Sequence, residues 1–335
     1  MKKLTIYCAA ALLLLAGCAK TPASGTNDAA KVYFDAWLEI NKANDWVKTP
    51  LGCYITADEP GTGTEVVTDT TGNRYLWVEY TATTLEGSLS TYTDALSARQ
   101  MNAFRESYYF GPRIWQRGEN TLYAGVEDAV IGMKEGGSRS FVMPGWLGTY
   151  SRYADEAQYL SKATGTAGIY SVRLVKVIPD LVAWETDSLR SYYKRNFPGA
   201  GDEPVEEGLY YVCRHPRSND LPFTADSTYY INYIGRCLDG RVFDTNIRDT
   251  AVFYGIWNSS RTYGPTAIKW ATTADKITMG SSSVITGFAK TLLQMGRYEA
   301  GTGIFVSSMG YSGTGSGNTI PPFSPLRFDV EFCDK

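Results

Sequence analysis

The 335-residue chain has a single histidine, His215, and none of its six cysteines forms a C-x-x-C pair. A serine–histidine hydrolase would have only that one base, and no G-x-S-x-G elbow accompanies it. The cysteine spacing excludes zinc ribbons and thioredoxin-like sites, so no metal and no cofactor is expected. Basic residues are scattered, which leaves nucleic acid without an electrostatic footprint. Gly313-Thr314-Gly315-Ser316-Gly317 is glycine-rich, but Ile320-Pro321-Pro322 follows where a phosphate loop requires a helix. Glu206-Glu207 falls in a polar linker and reads as solvated charge.

Long apolar runs are also missing, apart from Leu4 to Leu15, which is too short to span a bilayer. That run follows Met1-Lys2-Lys3 and ends in Leu15-Ala16-Gly17-Cys18, which resembles a bacterial lipobox; an ordinary signal peptide is the other reading. The resemblance implies a signal peptide over 1–17, cleavage before Cys18, and lipid-modified Cys18 as the membrane tether. Ala19 after the cysteine points to an outer-membrane lipoprotein facing the periplasm, with display at the cell surface also open. Loss of Lys2 and Lys3 takes the formal charge from −3 to −5. Residues 18–28 read as a polar tether.

What remains is rich in tyrosine and glycine, with turn residues at short intervals, and is too long for one typical core. Two β-rich halves are expected, each with one helix against its sheet. Asp28 is placed to cap a helix through about Lys42, with Tyr33, Ala36, Trp37 and Ile40 on one face. Thr186 is placed to cap another that carries Leu189, Tyr192, Tyr193 and Phe197 and stops at Pro198-Gly199. Strands open at Cys53-Tyr54-Ile55, at Tyr75–Tyr80 and at Leu209-Tyr210-Tyr211. Tyr80 precedes Gly87 as Tyr233 precedes Gly240, and Gly118, Leu122, Tyr123, Gly125 and Met133 repeat the intervals of Gly280, Val284, Ile285, Gly287 and Met295. The chain therefore reads as an internal duplication. Beyond Cys8 and Cys18, the cysteines are Cys53, Cys213, Cys237 and Cys333. They read as buried free thiols or, in an oxidising compartment, as one disulfide in the second half.

Residues 228–244 organise the second half: Tyr229, Ile231 and Tyr233 alternate to one face, Leu238-Asp239-Gly240 turns, and a return strand ends in Phe243-Asp244. The pattern Y-x-G-x-x-x-D-G-x-x-F-D from Tyr233 to Asp244 resembles the FK506-binding family of peptidyl-prolyl isomerases. Gly280–Phe288 is similar to that family's G-x-x-x-V-I-x-G-W segment with Phe288 in place of Trp, and Tyr311, Ile320-Pro321-Pro322 and Leu326–Glu331 follow in the family's order. The implied fold is α+β: two twisted antiparallel sheets, each wrapped on a short helix, Ala124 to Met133 and Gly287 to Met295. The implied division is 29–180, a degenerate domain with its N-terminal helix; 181–207, helix and linker; and 208–335, a domain with a retained pocket.

The implied activity is rotation about X-Pro bonds of exported polypeptides, whose barrier is about 18–20 kcal/mol. It needs no nucleophile or metal, because a dry aromatic pocket favours the twisted, less polar amide. The resemblance assigns Phe243, Val284, Ile285, Phe288, Ile320 and Phe328 to the proline pocket and Tyr233 to its wall. Asp244 would face the rotating carbonyl, with turn capping as the rival role, and the Tyr311 hydroxyl would donate to a substrate carbonyl. No aromatic plainly matches the family's second pocket phenylalanine; Trp270 and Asp275 lie nearest, and Gly301–Val306 departs from the family's more polar strand. In the first half, Ser90-Thr91 occupies the Phe-Asp positions, Val126 replaces the pocket-floor aromatic, and no Ile-Pro-Pro precedes the strand at Ile169–Val172. That half reads as catalytically weak or dead. An inactive lipoprotein that holds a protein partner or glycan is the competing reading, and the sequence assigns no oligomeric state.

Overall fold

A computed structural model describes residues 27–201, 203–217 and 221–335. The expected signal region, Cys18 and nearly all of the tether lie outside the described residues. Among the described residues, no helix is long and apolar enough to cross a membrane.

The chain is α+β, built on two antiparallel sheets. Helix α1 (Asp28–Asn41) leads into β1 (Val47–Lys48), β2 (Tyr54–Glu59), β3 (Tyr75–Thr83), β4 (Leu89–Tyr92), α2 (Ala95–Gln100), β5 (Arg113–Gln116), α3 (Ala124–Val130), β6 (Ser138–Met143), α4 (Glu156–Lys162) and β7 (Gly168–Ile178). Helix α5 (Leu181–Asn196) opens the second series. It continues through β8 (Leu209–His215), β9 (Thr228–Cys237), β10 (Val242–Thr245), α6 (Arg248–Phe253), β11 (Thr266–Lys269), β12 (Thr278–Met279), β13 (Ser282–Ser283), α7 (Thr286–Gln294), β14 (Ala300–Phe305) and β15 (Leu326–Cys333). The first sheet runs β2-β6-β7-β3, with β4 and β5 both on β3. The second runs β8-β14-β15-β9, with β10 and β11 both on β9, so the two sheets share one strand order. In β9 the side chains of Ile231, Tyr233 and Cys237 alternate into the core, the period of two that a half-buried strand requires.

Expectations for three helices, for the cysteines and for Glu206 need correction. In α1 the cap position belongs to Asn27, whose amide instead donates to the Leu160 carbonyl at 2.7 Å and to that of Ala163. The face turned inward carries Phe34 and Leu38, while Tyr33 and Ile40 are exposed, because Tyr33 reaches out to Glu86. Helix α5 starts before Thr186: Asp180 caps it, its carboxylate accepting from the Ala183 amide at 3.0 Å. Helix α3 stops at Val130, short of Met133, because Gly132 turns left-handed (φ +82°) and Arg139 takes the Ala129 and Ile131 carbonyls at 2.8 Å each. The four cysteines among the described residues are free thiols; Cys53 and Cys237 are buried, but Cys213 is exposed and Cys333 half-buried. Glu206 is held by Lys290 of α7 rather than simply solvated.

Within α5, Glu185 is buried and accepts from the Ser307 amide (2.7 Å) and hydroxyl (2.6 Å), tying the lead-in helix to the turn after β14. Burial raises its carboxyl pKa. The folded chain therefore binds more protons here than the unfolded chain between the two pKa values, and stability falls as pH rises through that window. Glu185→Gln removes this slope. Chemical denaturation from about pH 4 to about pH 7 should show wild type losing stability relative to the variant, and parallel curves would contradict the assignment.

The two halves meet through ring contacts and hydrogen bonds. Trp77 packs on Trp184 (5.9 Å) and Tyr75 on Phe323 (5.4 Å), both edge-on. The Tyr109 amide donates to the Asn318 carbonyl at 2.8 Å. Arg241 donates across to the Ser107 carbonyl (3.1 Å) and, within its own half, to that of Thr319 (2.7 Å).

Candidate functional site

Strands β9, β10 and β15 and helix α7 bring the expected residues of the second half to one place. The Phe328 ring lies 4.8 Å from Phe288, 5.5 Å from Phe243 and 6.4 Å from Tyr233, and Tyr233 lies 5.8 Å from Phe288. Ile320, Val284, Ile285 and Tyr311 pack against the same cluster. Phe288, Phe328 and Ile320 are buried, whereas Phe243, Val284, Ile285 and Tyr311 are half-buried. The layout follows from local structure. Val284 and Ile285 are the last two residues before α7, whose first turn then delivers Phe288. A register shift in β10 between Val242 and Asp244 sets Phe243 out of the ladder. Gly235, opposite Asp244, leaves room for the rings: a Cβ there would sit 2.7 Å from Phe243 and 3.0 Å from Phe328.

The polar corner is a three-membered network. The Tyr233 hydroxyl donates to Asp244 Oδ2 at 2.8 Å, and Arg261 pairs with Asp244 Oδ1 while donating to the Tyr233 hydroxyl at 2.8 Å. Burial and the adjacent Asp244 carboxylate push the Tyr233 phenol well up. Burial, with a smaller contribution from Asp244, also raises Tyr311. Asp244 does not cap the turn. Asp239 does, its carboxylate accepting from the Arg241 amide at 3.0 Å.

Sequence reasoning missed three residues. Arg261, from the segment between β10 and β11, neutralises Asp244. Asn246 is buried; its carbonyl accepts from the Tyr233 amide (2.8 Å) and its amide donates to the Ile231 (2.7 Å) and Gly264 (2.9 Å) carbonyls, fixing where that segment leaves and returns. Phe305 stacks on Phe328 at 5.9 Å and 8° between planes, beneath the ring cluster. Trp270 lies elsewhere, stacked on Phe223 at 3.9 Å toward the other end of β9, and Asp275 sits in the short 3-10 turn before β12.

The first half keeps the frame without rings at the positions of Phe243 and Phe288. Thr91 opposes Ala82 in β4–β3 as Asp244 opposes Gly235 in β10–β9, and Ser90 lies in the register shift that Phe243 occupies. Thr93 takes the place of Asn246, its hydroxyl accepting from the Tyr80 amide at 2.9 Å. Val126 lies one residue after the helical glycine, as Phe288 does.

Residues 267–333 match the family of FKBP-type peptidyl-prolyl cis-trans isomerases. That stretch carries Val284, Ile285, Phe288, Tyr311, Ile320 and Phe328, while Tyr233, Phe243 and Asp244 precede it. The peptidyl-prolyl cis-trans isomerase FKBP11 of Bos taurus is 32% identical over 111 residues, 33% of this chain. The match spans less than half, 43%, of that relative. Among solved structures, the three FKBP domains of wheat FKBP73 align over 84% of this chain and 94% of theirs, with 14% identity and a TM-score of 0.30. A peptidyl-prolyl cis-trans isomerase from Pseudomonas syringae aligns over 46% of this chain and 94% of its own, with 21% identity and a TM-score of 0.31.

Proposed function

We propose that the protein is a peptidyl-prolyl cis-trans isomerase whose activity resides in the second half. The observation that carries this reading is the meeting of Phe243, Phe288 and Phe328 beside the Tyr233–Asp244–Arg261 network. The rings offer an apolar surface for a proline ring. A planar amide must give up its resonance to rotate, and a water-poor, weakly polar environment suits the twisted form better. Because Arg261 neutralises Asp244, the corner orients a carbonyl without placing a bare charge against it. The half-buried Tyr311 hydroxyl would donate to a neighbouring substrate carbonyl. The domain limits given above, 29–180 and 208–335 with a helix and linker between, belong to this proposal. So do the lipid on Cys18, the periplasm-facing outer-membrane location, and exported polypeptides as substrates.

The test is NMR exchange spectroscopy on a proline tetrapeptide with the full chain at catalytic concentration. Accelerated cis–trans exchange is expected, falling about tenfold or more in Phe243→Ala, which loses ring contact at the pocket wall. Exchange no faster than in buffer would leave a binding lipoprotein as the better reading.

A further inference from the structure

A cleft of about 470 Å³ opens in the first half, within the range of sites that hold small ligands. It stands where the second half carries its ring cluster: Tyr80, Thr91, Tyr123 and Val126 line it, in the positions of Tyr233, Asp244, Ile285 and Phe288. Its origin is steric. Val126 stands where the Phe288 ring stands in the other half, so space that ring occupies there stays open here.

The walls are chemically distinctive. Aromatic rings of Tyr80, Trp115, Tyr123, Tyr150 and Tyr170 surround the cleft, with Tyr80 on Trp115 at 4.7 Å and Tyr123 on Tyr150 at 4.5 Å. The polar contributions come from neutral groups such as Gln116, Asn120 and Thr121, and no side chain on the lining is formally charged. Tyr170 and Tyr150 both have raised phenol pKa values, chiefly through burial, so these two hydroxyls stay neutral donors. The remaining wall comes from the second half: Gly313, Pro322 and Phe323 close one side. A proline–aromatic pair from this chain therefore already borders the cleft.

We propose that this cleft is a second peptide site, which holds an uncharged, extended segment with proline beside an aromatic residue and does not isomerise it. Tyrosine and tryptophan faces supply apolar contact at little entropic cost, and the amide and hydroxyl groups satisfy the backbone of the segment. Without a carboxylate at Thr91 or an arginine partner, the site lacks the polar network assigned to rotation in the other half. The inference stands on the cleft and does not require the isomerase reading.

The test is isothermal titration of the intact protein with the neutral peptide acetyl-Ala-Ala-Pro-Phe-Ala-amide, alongside tetrapeptide exchange. Two binding events per chain are expected. Tyr150→Ala and Thr121→Trp, both at solvent-accessible positions on the cleft, should each weaken one event about tenfold and leave the exchange rate unchanged. Phe243→Ala should weaken only the other. A single event that responds to Phe243→Ala and ignores both cleft variants would overturn the proposal. So would displacement of the peptide from the cleft by a neutral oligosaccharide such as maltoheptaose. Absence of exchange with the cleft event intact would sink only the isomerase reading.

Discussion

Asp244→Ala in the intact protein is expected to lower kcat/KM for an X-Pro peptide about tenfold to a hundredfold. Asp244 accepts from both the Tyr233 hydroxyl and Arg261, so its removal leaves the buried phenol without its acceptor and Arg261 without its ion-pair partner. A hydrogen bond to a charged group contributes about 1.5–3 kcal/mol, and each 1.4 kcal/mol is about tenfold in rate. Asp244→Asn keeps an oxygen for Tyr233 but gives up the charge that pairs with Arg261. It should recover part of the loss if orientation of Tyr233 is what counts, and the Tyr233 phenol should titrate lower in either variant because one of the causes of its raised pKa is gone. Exchange spectroscopy with circular dichroism as a fold check makes the comparison; wild-type rates in Asp244→Ala would remove this residue from the mechanism.

The second large effect is on stability. Gly287→Ala should cost about 3 kcal/mol, at the upper end of overpacking, because the new Cβ would lie 2.3 Å from the Phe305 ring. Phe305 is fully buried and stacked on Phe328, so yielding would also disturb the ring cluster. Gly125 occupies the same place in α3, but there a Cβ meets the Met143 side chain at 2.7 Å and Leu147 at 2.8 Å. Methionine has rotamers to spare, so Gly125→Ala should cost about half as much. Denaturant midpoints of the two variants decide it, and equal losses would show that Phe305 is freer to move than its burial implies.

The hairpin at 228–244 and the motifs after Gly280 were legible because alternation, turn chemistry and spacing all agree there. They placed every ring of the second-half cluster except Phe305, which sits in a strand that looked merely divergent; Gly303 in that strand makes room for Thr291 of α7. Arg261 was illegible because the segment after β10 has no period and ends among aromatics, although its distance from Tyr233 equals that of Tyr108 from Tyr80. The inward face of α1 was misjudged because apolar residues occur on two sides of it, and only contact with β2 and the helix region near Leu160 selects one. In the first half, replacement of rings by Ser90 and Val126 reads in sequence as simple loss. In three dimensions Val126 instead lines a tyrosine-walled cleft.

The segment from Tyr311 to Phe323 faces both halves at once: Tyr311 and Ile320 join the ring cluster, while Pro322 and Phe323 border the cleft, and Tyr109 and Arg241 anchor it at Asn318 and Thr319. A C-terminal fragment excised after the linker would lose the Tyr109 donor and the Ser107 acceptor together. Its turnover would then report on an unbraced loop, so kinetics from a severed half and from the whole molecule need not agree even when both are folded.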